Sequence, residues 1–423
     1  MGRLLAVLVR ADALTIFAWS ALVTIGLAAV YSCTVDFQSS AEIVPSTVSR
    51  AVFHSQMTWV LIGASVALFC MLIPYRHFEA LAYLTYAIAI VLLVAVLLVG
   101  DEAGGGRRWL SFGGLGFQPS ELAKVALILA LGRFLAARAE RSPMVLVGGA
   151  VAFVAPLFLL VVREPDLGTS LVYPAIAVPM LFWAGVPARL ILALVSPVLS
   201  AVVMFSGQQA LGGVWPWVLY VIGLTVLLYF ARLYIVQNLL LMGTNLITGL
   251  AIPLVWEKLQ PYQQARILTF FSPSESDRLG YGYQTFQSQV AIGSGGLFGK
   301  GYLEGSQKGL AFLPERHTDF IFSVIGEEFG LIGAVAVLSF FLLLIARALR
   351  VAEISKRPFA GMVAVGVASY FAFQAVVNIA ITVGLLPVTG LPLPLLSKGG
   401  SSMLVSCIMF GLLLNVSARW SEV

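Results

Sequence analysis

An ionisable residue inside or at the rim of an apolar run is costly to bury and is a candidate for function by default. In this sequence such residues gather at a few places. Glu121 and Lys124 open an apolar run three positions apart, so on a helix they share one face and can pair; the Pro119-Ser120 start signal before them is equally compatible with a plain salt bridge at a helix start. Asp166 interrupts two apolar runs within Arg163-Glu164-Pro165-Asp166-Leu167-Gly168-Thr169, where a helix cap is the competing reading. Asp319 heads a further run, after Leu313-Pro314-Glu315-Arg316-His317-Thr318. There a helix amino terminus favours the carboxylate and burial favours the acid, and capping is again the alternative. Glu327 and Glu328 lie two or more turns deeper, and at least one of them should face protein rather than lipid. A carboxylate that takes a proton and a lysine that neutralises an anion are what such a set could supply.

The run Gly293-Ser294-Gly295-Gly296-Leu297-Phe298-Gly299-Lys300-Gly301 invites a phosphate-loop reading. That spacing needs glycine where Ser294 stands and Ser or Thr where Gly301 stands, so the reading fails. The glycines fit a tight turn at a membrane surface, with Lys300 placed to meet an anionic head group. His54, His77 and His317 are far apart, which disfavours a histidine-built metal site, and Cys70 and Cys407 sit inside apolar runs as packing residues.

The elements that must position these groups are membrane spans. The chain is 60% hydrophobic and 11% charged, with a mean hydropathy of +0.96, which excludes a water-soluble domain. Its 25 Lys and Arg are scattered between apolar runs rather than gathered in a basic stripe, so the net charge of +5 reads as topology and not as nucleic-acid binding. A spanning helix needs roughly 20 apolar residues. By that template spans are expected near 12–31, 57–73, 80–99, 119–136, 144–162, 167–184, 190–206, 214–230, 235–256, 319–346, 360–386 and 401–418. The first is longer than a signal-peptide core and should stay in the mature protein.

With the amino terminus in the cytoplasm, the inside loops hold Arg3, Arg10, Arg76, Arg133, Arg138, Arg141, Arg189, Arg232, Arg347, Arg350, Lys356, Arg357 and Arg419. Outside the longest loop, the other side holds Arg50, Arg107, Arg108, Lys124, Arg163 and Lys398. That bias places both termini inside and the polar stretch 257–318 outside. The stretch is too long for a connector, and Tyr262, Phe270, Phe271, Tyr283, Phe286 and Phe312 argue that it folds back onto the membrane domain as a lid and substrate guide.

Taken together, the segments Arg108-Trp109-Leu110, Gln118 to Lys124, Pro165 to Thr169, Ile292 to Gly301, Leu313 to Phe322, Gly326 to Gly330, Pro387 to Pro394 and Gly399 to Ser402 resemble the SEDS family (shape, elongation, division and sporulation). That family comprises the lipid II polymerases that build bacterial peptidoglycan strands. Gly299-Lys300-Gly301 and Phe312 to Asp319 look like its elongation branch, RodA, more than its division branch, FtsW. The resemblance implies an all-α polytopic fold of ten helices. Here the stretch between Thr169 and Tyr262 has room for an extra pair within 207–256, giving about twelve helices and a large extracytoplasmic loop before the tenth. Trp215 and Trp217 in that pair read as interfacial anchors.

The resemblance further implies a peptidoglycan glycosyltransferase of the bacterial cytoplasmic membrane, working with a class B penicillin-binding transpeptidase. Asp319 would be the essential acid, and Glu121 and Lys124 would line an outer-face cavity. Arg108, Asp166, Lys300, Glu315, Arg316, Ser401 and Ser402 fall in the same motifs as candidate substrate contacts. A Mg or Mn ion held at Asp319 could share the charge of a departing diphosphate. Glu164 stands where the family often has glutamine, and Gln260-Pro261-Tyr262-Gln263 replaces the more usual His-Asp-Tyr-Gln. The alternatives are a flippase for the same lipid, which would place polar groups near the midplane in related halves, and a scaffold in which Asp319 only caps a helix.

Overall fold

The computed structural model describes residues 10–34, 47–103, 106–112, 115–138, 140–210, 212–231, 235–259, 261–271, 282–305 and 317–421. Glu315 and Arg316, and with them that part of the expected site, lie outside the described residues. In chain order the helices are α1 (Ala13–Cys33), α2 (Thr47–Leu72), α3 (Tyr75–Val99), α4 (Pro119–Ala136), α5 (Pro143–Arg163), α6 (Leu167–Trp183) and α7 (Ala188–Ala210). They continue with α8 (Trp215–Ala231), α9 (Ile235–Lys258), α10 (Pro261–Phe271), α11 (Tyr283–Gly295), α12 (Ile321–Ile354), α13 (Pro358–Thr382) and α14 (Gly400–Ala418).

Every expected span falls on a helix, in an all-α polytopic membrane fold. Among the described residues nine helices are long and apolar enough to cross a membrane. Of the other three expected spans, α6 and most of α8 are apolar but shorter, and α4 carries Glu121, Lys124 and Arg133. The second helix starts at Thr47, ten residues before the apolar run that announces it. One element departs from the helical pattern. Between α3 and α4 the chain forms a small antiparallel sheet of β1 (Asp101–Ala103), β2 (Gly106–Phe112) and β3 (Leu115–Phe117), in that order.

The chain divides into two compact units, 186–286 and the remainder. The smaller holds α7 to α10, and its spans are tied by neutral polar groups. Ser200 donates to the Asn245 carbonyl at 2.8 Å, Trp217 Nε1 donates to Ser200 Oγ at 2.8 Å, and Asn245 Nδ2 donates to Ser196 Oγ at 2.8 Å. Such bonds act as glue where apolar lipid gives helices no hydrophobic reason to associate. Trp217 is therefore a packing residue and not the interfacial anchor its sequence position suggests, whereas Trp215 is exposed.

In the larger unit α4 is buried on all sides, packed against α3, α5, α6, α13 and α14. Basic side chains tie neighbouring helices through backbone carbonyls, and those that Arg419 meets are at the carboxyl end of α2, where a helix leaves carbonyls open. Arg133 donates to the carbonyls of Glu79 and Ala80, and Arg419 to those of Met71 and Leu72.

Within the stretch 257–318 the described residues include α10 and α11. Beyond α11, residues 296–301 enter a break in α12. Gly330 has φ 63° and ψ −157°, which no helix accommodates. A break leaves carbonyls on one side and N–H groups on the other without helical partners, and the inserted backbone meets both. Lys300 N and Gly301 N donate to Glu327 O and Glu328 O at 3.0 and 3.1 Å, while Leu331 N and Ile332 N donate to Gly296 O and Leu297 O at 2.9 and 3.2 Å. The approach requires glycine: a Cβ on Gly299, at φ 80°, would stand 2.1 Å from Glu328 O.

Candidate functional site

Four helices of the larger unit, α4, α6, α12 and α14, begin at one locus, and each start is held to the next. Gln118, which precedes α4, donates its backbone N–H to Ser401 Oγ in the first turn of α14 at 3.0 Å and its side-chain amide to Asp166 Oδ2 at 3.3 Å. Asp166 is the cap of α6, as its position allows: it accepts from Thr169 N at 3.0 Å and Thr169 Oγ1 at 2.9 Å. Gly168, next in α6, packs so tightly against the 387–399 loop that a Cβ there would lie 2.5 Å from the Thr389 carbonyl. The next residue of that loop, Gly390 at φ 76°, would bring a Cβ within 3.8 Å of Asp319 Oδ2. Thus the first turn of α6, which Asp166 caps, and Asp319 both approach one dipeptide of a loop distant from both in sequence.

The N-cap position of α12 is Phe320, with no side-chain cap bond. Phe320 is fully buried against Ile381 with Val377 and Val388, packing that fixes the residue before it. The Asp319 carbonyl accepts from Asn378 Nδ2 at 2.8 Å, and the same amide nitrogen donates to Leu391 O at 2.8 Å. Lys398 N donates to His317 O at 2.8 Å, and Ser397 Oγ to Thr318 O. Gln56 of α2 holds the far end of this loop by donating to Ser397 O and accepting from Gly399 N, both at 3.2 Å.

One turn inside α4, Lys124 Nζ lies 2.5 Å from Glu121 Oε1. The ammonium stands 5.7 Å from the centroid of the Tyr370 ring of α13, a cation–π distance, and the Tyr370 hydroxyl is 2.9 Å from Ser406 Oγ of α14. Ser401 and Ser402 are both buried at the start of α14.

Arg108 on β2 commits Nε to the Glu164 carbonyl at 2.9 Å and Nη2 to that of Pro165. It clamps the turn before α6, and Gly106 permits this by leaving no Cβ against Glu164 O. The Glu164 side chain is fully buried in that turn. Desolvation, reinforced by Asp166 and opposed by Arg108, pushes its carboxyl up to about 8.

Lys300 meets an anion of the protein's own: its Nζ is 2.7 Å from Glu327 Oε1 in the first half of α12. Glu328 Oε1 accepts from Ser32 of α1, so both acids face protein. As for a metal, no three His, Cys, Asp or Glu side chains converge among the described residues. There is no ready-made cage, and Asp319 would be a single carboxylate ligand of the kind Mg accepts when phosphates supply the rest. Sequence reasoning missed Tyr370, Gln374 and Asn378, neutral polar residues four apart on α13, whose only signal is that regular spacing within an apolar helix.

A family model described as "Cell cycle protein" (FtsW/RodA/SpoVE) matches residues 12–212 and 208–422. The peptidoglycan glycosyltransferase RodA of Treponema pallidum is 33% identical over 452 residues, covering 96% of this chain and 98% of its own. The peptidoglycan glycosyltransferase MrdB of Escherichia coli K12 is 34% identical over 388 residues, covering 92% and 90%. Among solved structures, a chain described under "Structural coordination of polymerization and crosslinking by a peptidoglycan synthase complex" superposes with a TM-score of 0.69 at 28% identity, over 98% of this chain and 99% of that one. The rod shape determining protein RodA of Thermus thermophilus gives 0.62 at 27% identity, over 98% of each. With matches that run nearly end to end in sequence and in fold, the chain belongs to the FtsW/RodA/SpoVE, or SEDS, family.

Proposed function

We propose that this protein is a peptidoglycan glycosyltransferase that polymerises lipid II at the outer face of the bacterial cytoplasmic membrane. The observation that carries this reading is the meeting of four helix amino termini around Asp319 and the buried Lys124. Helix starts present N–H groups and partial positive charge, the setting an anionic diphosphate needs. Lys124 adds a full charge at the same locus.

In the reaction, Asp319 takes the proton of the acceptor hydroxyl as its oxygen bonds to the anomeric carbon of the donor sugar. The bond from that carbon to the diphosphate breaks, and the electron pair leaves with the lipid-linked diphosphate. Lys124 and the N–H groups of the first turns stabilise the departing charge. Ser401 and Ser402 lie in the first turn of α14 on the same side. A Mg or Mn ion, when bound through Asp319, would neutralise part of the same diphosphate.

General bases contribute typically 10²–10⁴-fold. Asp319→Asn should therefore lower glycan synthesis from lipid II by at least about 100-fold while its melting temperature stays near that of the parent protein. Undiminished synthesis by the variant, with its partner present, would refute the assignment. Lipid II translocation across liposomes without polymerisation would favour the flippase instead. The break in α12 gives that alternative little support, because it is filled by residues 296–301 and does not line the site.

The partner in this reading is a class B penicillin-binding transpeptidase, supported by the family resemblance and by the polymerisation-and-crosslinking complex that this fold matches. The elongation role rests on Gly299-Lys300-Gly301 and on His317-Thr318-Asp319-Phe320. Both termini are placed in the cytoplasm by the basic-residue bias.

A further inference from the structure

The inward face of α13 carries Tyr370, Gln374 and Asn378 at successive steps of four, spacing that stacks them on one side of a helix. Tyr370 lies beneath the Lys124 ammonium and Asn378 holds the backbone of Asp319, so this face joins the cationic and acidic poles of the site. At 1.5 Å per residue the two are ~12 Å apart along the axis, with Gln374 ~6 Å from each.

Gln374 is fully buried, yet neither its Oε1 nor its Nε2 has a hydrogen-bond partner among the described residues. Its neighbours on either side repeat the pattern: Glu121 Oε2 and Ser120 Oγ at the cationic pole, Asn378 Oδ1 and Thr389 Oγ1 at the acidic pole, are buried and unpartnered as well. Buried polar groups are nearly always satisfied, so this set of orphans on α13 and the segments around it requires an explanation. The set combines carboxyl and amide oxygens that accept, an amide nitrogen that donates and hydroxyls that can do either, which suits a partner that both donates and accepts at several points. Neighbouring hydroxyls of a pyranose ring do so, and a planar amide can bridge two of them.

We propose that Gln374 is a sugar-recognition residue, its side-chain amide hydrogen-bonding ring hydroxyls of the donor sugar, whose diphosphate leaves toward Lys124 and whose anomeric carbon is attacked from the side of Asp319. This deepens the glycosyltransferase reading and rests on it. Gln374 positions the sugar and takes no part in proton transfer, so its removal weakens substrate binding as well as turnover.

The test uses the purified full-length chain with its transpeptidase partner and lipid II as the probe. Gln374→Leu keeps the volume and removes the amide. Its kcat/KM should fall at least tenfold, while its melting temperature holds or rises because an unsatisfied group has left the interior. In an Asp319→Ala background, which removes turnover, Gln374→Leu should also weaken lipid II binding about tenfold. Parental kcat/KM in Gln374→Leu overturns the proposal. So does a melting temperature several degrees lower combined with unchanged lipid II binding, which would make the amide structural. If Asp319→Ala still polymerises, the glycosyltransferase assignment of Asp319 fails instead, and the binding comparison continues to judge Gln374 by itself.

Discussion

Lys124 Nζ and Glu121 Oε1 lie 2.5 Å apart with 0% and 2% of their side chains exposed, one turn into a helix that touches protein on every side. An ion pair so placed adds little net stability, because both charges have left water; breaking it strands the survivor. In the proposed reaction the pair holds a cation at the diphosphate end of the site, and it makes Lys124 difficult to lose.

Lys124→Ala should therefore lower stability by about 3–5 kcal/mol, the cost of an uncompensated buried charge. Glu121→Ala with Lys124→Ala should melt well above Lys124→Ala alone, because the stranded charge is gone. A thermal melt of the parent and the two variants in detergent checks the order. Polymerisation should stay low in both lysine variants, which separates the chemical role from the structural one.

Asn378 Nδ2 donates to two carbonyls, those of Asp319 and Leu391. Asn378→Leu should cost about 1–3 kcal/mol for each carbonyl left unsatisfied. It should also lower glycan synthesis at temperatures well below its melting point, although Asp319 itself is intact. Parental activity in a destabilised protein would mean that Asp319 does not depend on this tether.

The splice between residues 296–301 and the break in α12 predicts a contrast between two glycines. Gly299→Ala combines a positive φ with a Cβ 2.1 Å from Glu328 O, so it should cost about 2 kcal/mol or more. Gly296→Ala, at φ 58° with open space around the new Cβ, should cost about 1 kcal/mol. Denaturation of the two variants side by side tests the order.

Glu164 supplies a pH dependence. Its folded carboxyl is raised by desolvation from 4.5 to about 8, so the folded protein binds a proton that the unfolded chain releases. Its contribution to stability is complete below about 4.5 and is lost as the pH rises through about 8. Glu164→Gln, neutral at every pH, should match the parent near pH 4.5 and exceed it increasingly toward pH 9, by up to a few kcal/mol. Melting curves at three pH values decide it, and a constant gap would contradict the raised carboxyl.

The spans were legible because lipid imposes one rule on all of them, a run of apolar residues long enough to cross. The fourth helix was found at both ends, 119–136, since Pro119-Ser120 marks its start and the Arg133 to Arg141 cluster its finish. The start of the second was missed because residues 47–56 are polar enough to read as a loop, although Gln56 is used to hold the site. Asp166 could be read as a cap from Thr169 three residues on, whereas nothing local in the sequence shows that the N-cap position of α12 falls on the buried Phe320. The Lys300–Glu327 pair joins separate segments and has no local signature. Tyr370, Gln374 and Asn378 escaped notice because a search for charge does not register neutral groups.

The break at Gly330 also bears on how the protein can change. A helix that borrows its missing hydrogen bonds from another segment is no longer specified by its own sequence alone. Residues 296–301 and 326–332 form one heritable module: a chimera that exchanges either stretch with a relative should fold only if the other travels with it. The segment preceding the proposed catalytic acid can diversify, but only in step with the helix that follows that acid.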